Sequence, residues 1–376
     1  MKAQRIKLEI QHSPAFVLDI DQVLSNLQPL QNIKQATDCK ILYSLKALPL
    51  ASLLTELKAH VDGFSVSSLF EAKLARAIMG DQGSVHLTTP GLRKDEFVEL
   101  ANLCTHISFN SLSQQHQLSD VAGGFSKGLR INPKLSFAAD VRYDPCREHS
   151  KLGVAMELIN QGLSESIDGL HLHTVFSQTD SNPLQATLKK IRPILQQQDK
   201  LQWINLGGGY LFHRFTDLQP LIDLIAELKA HYADEVYLEP GKALVGNAGY
   251  LLSTVLDRFE SDGKTILIMD TSVNHHPEAF EYQIKPALIE EDSQGPNQAI
   301  LAGSTCLAGD VFGEYGFHKI PEIGDKLLFA DLGAYSLIKA NRFNGYALPT
   351  IYLLKNQVLT LLKRDEYADY CRQWLC

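Results

Sequence analysis

The sequence lacks the marks of several large functional classes. None of its six cysteines (Cys39, Cys104, Cys146, Cys306, Cys371, Cys376) forms a CxxC pair, so neither a zinc knuckle nor a disulfide framework is indicated. No apolar run approaches the roughly 20 residues of a membrane-spanning helix. The opening MKAQRIKLEIQHSPAFVLDI alternates polar and apolar residues without the continuous hydrophobic core of a signal peptide. A cytoplasmic protein is therefore expected. There is no low-complexity tract, and no excess of basic residues: the formal net charge is -8. That balance argues against a nucleic-acid or membrane partner and mildly favours cationic small molecules.

What is present is enough apolar sequence for two cores. A chain of 376 residues exceeds one ordinary domain. From Cys39 onward, short apolar runs alternate with segments of helical period. Eight such runs precede Pro240: 41–45, 63–67, 85–88, 106–109, 128–132, 169–174, 202–206 and 236–239. The clearest helix is Ser68–Met79, with Leu69, Ala72, Leu74, Ala75 and Ile78 largely on one face, a capping-box spacing at Ser68 and Glu71, and Gly80 as its stop. Eight strand-then-helix units predict a (β/α)8 barrel over residues 22–248.

After Gly241 the texture changes to β-rich segments (250–255, 265–269, 299–303, 326–330, 350–354 and 357–362) punctuated by Gly, Asn, Asp and Pro. These predict a mostly antiparallel β domain over 249–376. Residues 1–21 are expected to complete it through strands at Ile6–Ile10 and Ala15–Leu18. The fold class is thus α/β, a barrel plus a β domain.

Chemistry in a barrel gathers at strand carboxyl ends, where Lys46, His173, Gly207 to Gly209 and Glu239 all fall. Lys46 follows the run Ile41–Leu45 and precedes Ala47-Leu48-Pro49. Burial there leaves a free amine able to form a Schiff base; the competing reading is a surface lysine before a proline turn. Gly207-Gly208-Gly209 allows backbone N–H groups to approach a phosphate, or is only a flexible turn. His171 and His173 share a strand face. They read either as a metal pair, for which further ligands at other strand ends are missing, or as a flat aromatic under a bound ring with His171 as packing. Ser68 and Glu71 read as structural caps, and a lone Cys306 in GSTCLAGD is by itself ordinary filling.

The strings YSLKA, GFSVSSLFEAK, LRINP, KLGV, GLHLH, NLGGGY, LEPGKALV, GSTCLAGD and ADLGAYS occur in this order between about Ala15 and Tyr335. Together they resemble the pyridoxal-phosphate-dependent decarboxylases of alanine racemase-like fold, the group of the ornithine, arginine and diaminopimelate decarboxylases. MDTSVNHHPEAFEY and GLHLHTVFSQ look most similar to the branch that decarboxylates carboxynorspermidine and carboxyspermidine.

The resemblance implies pyridoxal 5'-phosphate as cofactor and Lys46 as its Schiff-base lysine. His173 would stack on the pyridine ring and Glu239 pair with its nitrogen. Gly207, Gly208, Gly209, Gly241, Tyr335 and Ser177 would surround the phosphate. Cys306 of a second subunit would protonate the product, so a homodimer with shared active sites is expected. A carboxylate beside the ring nitrogen favours the cationic ring and decarboxylation, whereas racemases of this fold resemble one another in placing arginine there. Leu307 stands where ornithine and diaminopimelate decarboxylases carry an acid, which argues against simple ornithine or diaminopimelate; for the carboxylated triamine that the resemblance implies, Asp270, Asp310 and Glu239 are candidate contacts and Glu278 and Glu281 further loop acids. The loop from His173 to Ser177 is one residue longer than in those relatives, and Lys242 replaces a frequent arginine. A diaminopimelate or other basic amino-acid decarboxylase, and a non-catalytic regulatory homologue, are the alternatives.

Overall fold

The structure, a computed structural model, describes residues 2–138, 140–159 and 162–375. In chain order its first ten strands are β1 (Ala15–Asp19), β2 (Lys40–Ser44), β3 (Gly63–Val66), β4 (Ser84–Thr88), β5 (His106–Phe109), β6 (Ser126–Asn132), β7 (Val154–Ala155), β8 (Gly169–Leu172), β9 (Leu201–Asn205) and β10 (Ala233–Leu238). Strands β2 to β6 and β8 to β10 pair in parallel in the order β5-β4-β3-β2-β10-β9-β8-β6, and a β5–β6 pairing closes the ring. This is the expected eight-stranded barrel, with the two-residue β7 appended to β6. Strands buried on both faces need continuous apolar runs rather than alternation, and β3, for example, is buried throughout.

The barrel interior is filled low down by Trp203 of β9. Its indole fits because β6 and β8 carry glycines opposite it: a Cβ on Gly128 or Gly169 would lie 2.2 and 2.1 Å from ring atoms. Trp203 Nε1 donates to Ser126 Oγ at 2.8 Å. Tyr237 packs edge-on to the indole, and the rings of His86 and His106 stack at 3.9 Å. This plug leaves the strand carboxyl ends as the open face.

The helix Leu69–Met79 starts as expected, with Ser68 Oγ accepting from Glu71 N at 3.3 Å. Glu71 reaches back one residue further than a capping box requires, accepting from Ser67 N at 2.7 Å. Gly80 ends the helix at φ 66°.

The chain divides into two compact units, Asn26–Ala243 and Met1–Ser25 with Leu244–Cys376. The second contains β1 with β11 (Gly249–Ser261), β12 (Lys264–Met269), β13 (Ala287–Leu288), β14 (Asn297–Ala302), β15 (Val311–Phe317), β16 (Lys326–Ala330), β17 (Thr350–Lys355) and β18 (Val358–Lys363). Its main order is β15-β14-β12-β11-β1-β17-β18. Most pairings are antiparallel, and β1–β17 and β12–β14 are parallel. As expected, Ala15–Leu18 completes this sheet.

Ile6–Ile10 does not form a strand: Lys2–Glu9 is a helix. Ile6 and Ile10 are buried while Leu8 between them is 67% exposed, which is the i, i+4 stripe of a helix and not alternation across a sheet. Strand β15 was not anticipated because Gly313 and Gly316 make VFGEYGF look like a turn. Gly316 is there for close approach, since a Cβ would lie 2.4 Å from the Asp292 carbonyl oxygen.

Candidate active site

A cavity of about 350 Å³ opens among the barrel's strand ends, and Lys46, His171, His173, Arg130 and Glu239 all line it. Its size is at the lower end of the range for small-ligand sites.

Lys46 sits on a 3-10 turn, Leu45–Ala47, directly after β2. The turn is fixed by Tyr43 Oη donating to the Leu48 carbonyl at 3.0 Å and by Ser44 N donating to the Pro240 carbonyl at 2.9 Å. The side chain is accessible through the cavity, yet it lies deep among protein atoms. Burial lowers its pKa, Glu239 opposes that and Arg130 adds to it, so the fraction of neutral amine rises.

Glu239 is the first residue after β10 and is 4% exposed. Asn205 Nδ2 donates to its Oε1 at 2.8 Å, and His171 Nε2 lies 3.4 Å from its Oε2. Burial works against ionisation, but the approach of His171 Nε2 and the charge of Lys46 outweigh it and hold the carboxyl below the usual range. His171 itself is lowered, burial prevailing over the pull of Glu239. The two therefore form a carboxylate facing a neutral imidazole rather than a salt bridge.

His173 follows β8. Gly208 N donates to its Nδ1 at 3.1 Å, which places the ring proton on Nε2. Burial, with Lys46 and Arg130, pushes its pKa well below the ordinary value. Arg130 Nη2 donates to the His173 carbonyl at 3.4 Å, and burial lowers the guanidinium to about 10. Among the described residues, no group of three His, Cys, Asp or Glu side chains is placed to hold a metal ion.

The three glycines do not line the cavity; they pack the loop against both neighbouring strands. A Cβ on Gly207, Gly208 or Gly209 would lie 2.2 Å from the carbonyl oxygens of Leu172, Glu239 and Val175 respectively. Gly207 N donates to Asn205 Oδ1 at 2.9 Å and Gly208 N to His173. Two of the three amides are thus already engaged, one by the end of β9 and one by His173 after β8. Gly241 packs on the Lys46 turn, where a Cβ would be 3.1 Å from Ala47 Cβ.

Ser177 adopts φ 55°, and its Oγ is buried without a partner among the described residues. Its neighbour Gln178 donates N–H to the Gly209 carbonyl at 2.9 Å, so the Ser177 segment runs beside the glycine loop. An orphaned hydroxyl on a segment beside a close-packed glycine turn fits a phosphate group.

In the β unit, Tyr335 adopts φ 60° and burial raises its hydroxyl to about 12; the adjacent Ser336 Oγ is 2.8 Å from His276 Nδ1. Cys306 is exposed on a loop, and its N–H donates to Asn344 Oδ1 at 3.0 Å. Asp310 organises that loop: Oδ2 accepts from Thr305 N at 3.1 Å and Thr305 Oγ1 at 2.5 Å, and Oδ1 from Val273 N at 2.8 Å. Asp270 accepts from Ser13 Oγ, from Ser253 Oγ at 2.7 Å and from Thr254 N at 2.9 Å. Both carboxylates are engaged inside this unit. Glu278 and Glu281 lie on the short helix Glu278–Glu281, where Glu281 pairs with Lys339.

Sequence reasoning gave no role to Asn205, Arg130 or the mouth residues Arg142, Tyr143, Asp144 and Pro145. Asn205 was legible in principle as a polar end to an apolar strand. The mouth segment has neither period nor motif, and is shaped by the stacking of Tyr143 on Phe176 at 4.3 Å and 9°.

Residues 15–333 match the model of a family described as pyridoxal-dependent decarboxylase, C-terminal sheet domain. The chain is 33% identical to the carboxynorspermidine/carboxyspermidine decarboxylase of Campylobacter jejuni, over 95% of this chain and 97% of that one. It is 32% identical to the carboxyaminopropylagmatine decarboxylase of Synechocystis, over 95% and 94%. The crystal structure of carboxynorspermidine decarboxylase from Campylobacter jejuni, complexed with norspermidine, is similar with a TM-score of 0.87 at 30% identity, covering 97% of this chain and 100% of that chain. Match, identity and coverage agree with the site geometry: the chain belongs to the pyridoxal-dependent decarboxylase family.

Proposed function

We propose that this protein is a pyridoxal-phosphate-dependent carboxy-lyase that converts carboxynorspermidine, and carboxyspermidine, to norspermidine and spermidine in cytoplasmic polyamine biosynthesis. The observation that carries the reading is that Lys46 and Glu239, with His173, line one cavity at the barrel's open end.

Bound there, pyridoxal phosphate supplies the electron sink that stabilises negative charge at the substrate α-carbon once carbon dioxide leaves. Lys46 Nζ, whose pKa is lowered by burial so that its free-amine fraction rises, is the amine that would hold the pyridoxal group covalently. Glu239, ionised and oriented by Asn205, would hold a proton at the pyridine nitrogen. His173, neutral and fixed by Gly208, would offer a flat face to the ring. Ser177, Gly209 and Gly241 would complete the phosphate surroundings, with Gly207 and Gly208 setting the shape of the loop.

Cys306 of a second copy delivers the proton to the α-carbon, so the working form is a homodimer. Asp270 and Asp310 enter as organisers of their loops rather than as contacts to the triamine tail. The 32% identity to a carboxyaminopropylagmatine decarboxylase supports a second reading, a guanidino-bearing relative of the same substrate.

The test is carbon dioxide release by the cofactor-loaded protein from carboxynorspermidine, carboxyspermidine, carboxyaminopropylagmatine and diaminopimelate. The highest kcat/KM is expected for the first two. Highest kcat/KM for diaminopimelate, or no release from any, overturns the assignment.

A further inference from the structure

His171 stands outside every role given above, yet it is 1% exposed and lies at the base of the site. It pairs in register with Arg130 of β6 on one side and with Asn205 of β9 on the other, so the three point to the same face of the barrel wall. Asn205 and His171 approach the Glu239 carboxylate from two adjacent strands. Asn205 Nδ2 holds Oε1 at 2.8 Å, and His171 Nε2 stands 3.4 Å from Oε2. That second contact is too long and too misaligned for a full hydrogen bond, and neither ring nitrogen of His171 has one among the described residues. A buried carboxylate without paired donors is costly, and Glu239 has one good donor and one poised one.

We propose that His171 is a positioning residue whose neutral Nε2–H fixes the second oxygen of Glu239, setting the carboxylate's orientation and charge toward the pyridine nitrogen. The inference rests on the pyridoxal-phosphate reading above. The charged and titratable groups around this pair are Lys46 after β2, His86 of β4, Arg130 of β6, His173 after β8 and the two residues themselves. The cationic Arg130, with Lys46, disfavours an imidazolium at His171. Its part is therefore that of a dipole donating toward a fixed charge, which strengthens as a water-excluding ligand fills the cavity.

The test compares His171→Phe, which keeps a flat ring without a donor, with His171→Gln, which restores an N–H. With protein loaded with 15N-pyridine-labelled pyridoxal phosphate, the ring-nitrogen signal reports its protonation against pH without reference to turnover. In wild type the nitrogen is expected to stay protonated across the neutral range. In His171→Phe its deprotonation is expected at lower pH, with kcat for carbon dioxide release down about tenfold to a hundredfold, the effect of losing one bond to a charged group, and KM within twofold. His171→Gln should recover most of both. An unchanged ring-nitrogen titration in His171→Phe overturns the proposal, as does an equal loss in both variants with unaltered titration, the signature of a packing role. If the wild type binds no pyridoxal phosphate, the underlying functional reading fails instead.

Discussion

Alanine at Gly208 isolates one contact. Unlike Gly207 and Gly209, Gly208 does not have a left-handed backbone, so the effect of a methyl group is purely steric. Its Cβ would lie 2.2 Å from the Glu239 carbonyl oxygen and 3.2 Å from the carbonyl carbon. Reaching the 3.0 Å below which real Cβ contacts are essentially absent requires the chain at Glu239 to retreat by about 0.8 Å (3.0 less 2.2). Overpacking of this kind costs about 1–3 kcal/mol, and at about 2–4 °C per kcal/mol for a domain of this size the melting temperature should fall by about 2–12 °C. The larger effect is chemical. Displacing a positioned group by nearly 1 Å costs about 100-fold in rate, and on the proposed function Glu239 would move relative to the ring nitrogen it is proposed to serve. Carbon dioxide release under saturating pyridoxal phosphate, paired with differential scanning calorimetry, measures both. Gly91→Ala, where nothing lies within 4 Å of the added methyl, is the control and should change neither. Wild-type turnover and melting in Gly208→Ala would show that the close approach to Glu239 carries no function.

Other expectations follow from the same geometry. Lys46→Ala should abolish covalent capture of the pyridoxal group on borohydride reduction, read by mass spectrometry, with decarboxylation lost; an adduct on another lysine would refute the assignment. Cys306→Ala should leave cofactor binding intact while lowering kcat at least tenfold or diverting the site of protonation, read from the product distribution; unchanged kinetics would remove the thiol from the mechanism. His106 and His275 are each lowered by burial to about 4, with Asp168 and Asp310 opposing. Their folded pKa values lie below the unfolded value near 6.5, so the unfolded chain binds more protons between the two. Stability is full above pH 6.5 and should fall by up to about 1.4 kcal/mol per pH unit for each group as pH drops toward 4; a flat urea midpoint over that window would contradict it.

How much of this was legible in the sequence depends on the distance over which each feature is determined. The barrel strands showed themselves because each is a short apolar run closed by polar or glycine residues, as in β2 and β9. Local patterning fixes such elements, and Lys46, His173 and Glu239 lie one or two residues past their ends. The amino-terminal helix was misread because Ile6, Leu8 and Ile10 fit an alternating pattern as well as a helical one, and the sequence does not say that Leu8 faces solvent. Motif order placed Asp270 and Asp310 near the chemistry. Only three dimensions reveal that their oxygens are taken by Ser253, Thr254, Thr305 and Val273. The same holds for His171 and Asn205, whose approach to one carboxylate from adjacent strands is a property of strand register.

Strand β1 is flanked by β11 and β17, with Ala15 opposite Leu252 on one side and Thr350 on the other. All five of its residues are buried in the finished sheet. On the ribosome those residues emerge more than 300 positions ahead of β17, an interval of roughly 15–65 s at ordinary elongation speeds. The β11 edge can be filled once residues 249–261 emerge, but the β17 edge of AFVLD stays vacant for the whole of that wait, so nascent-chain crowding and holdase supply bear on the yield of this enzyme.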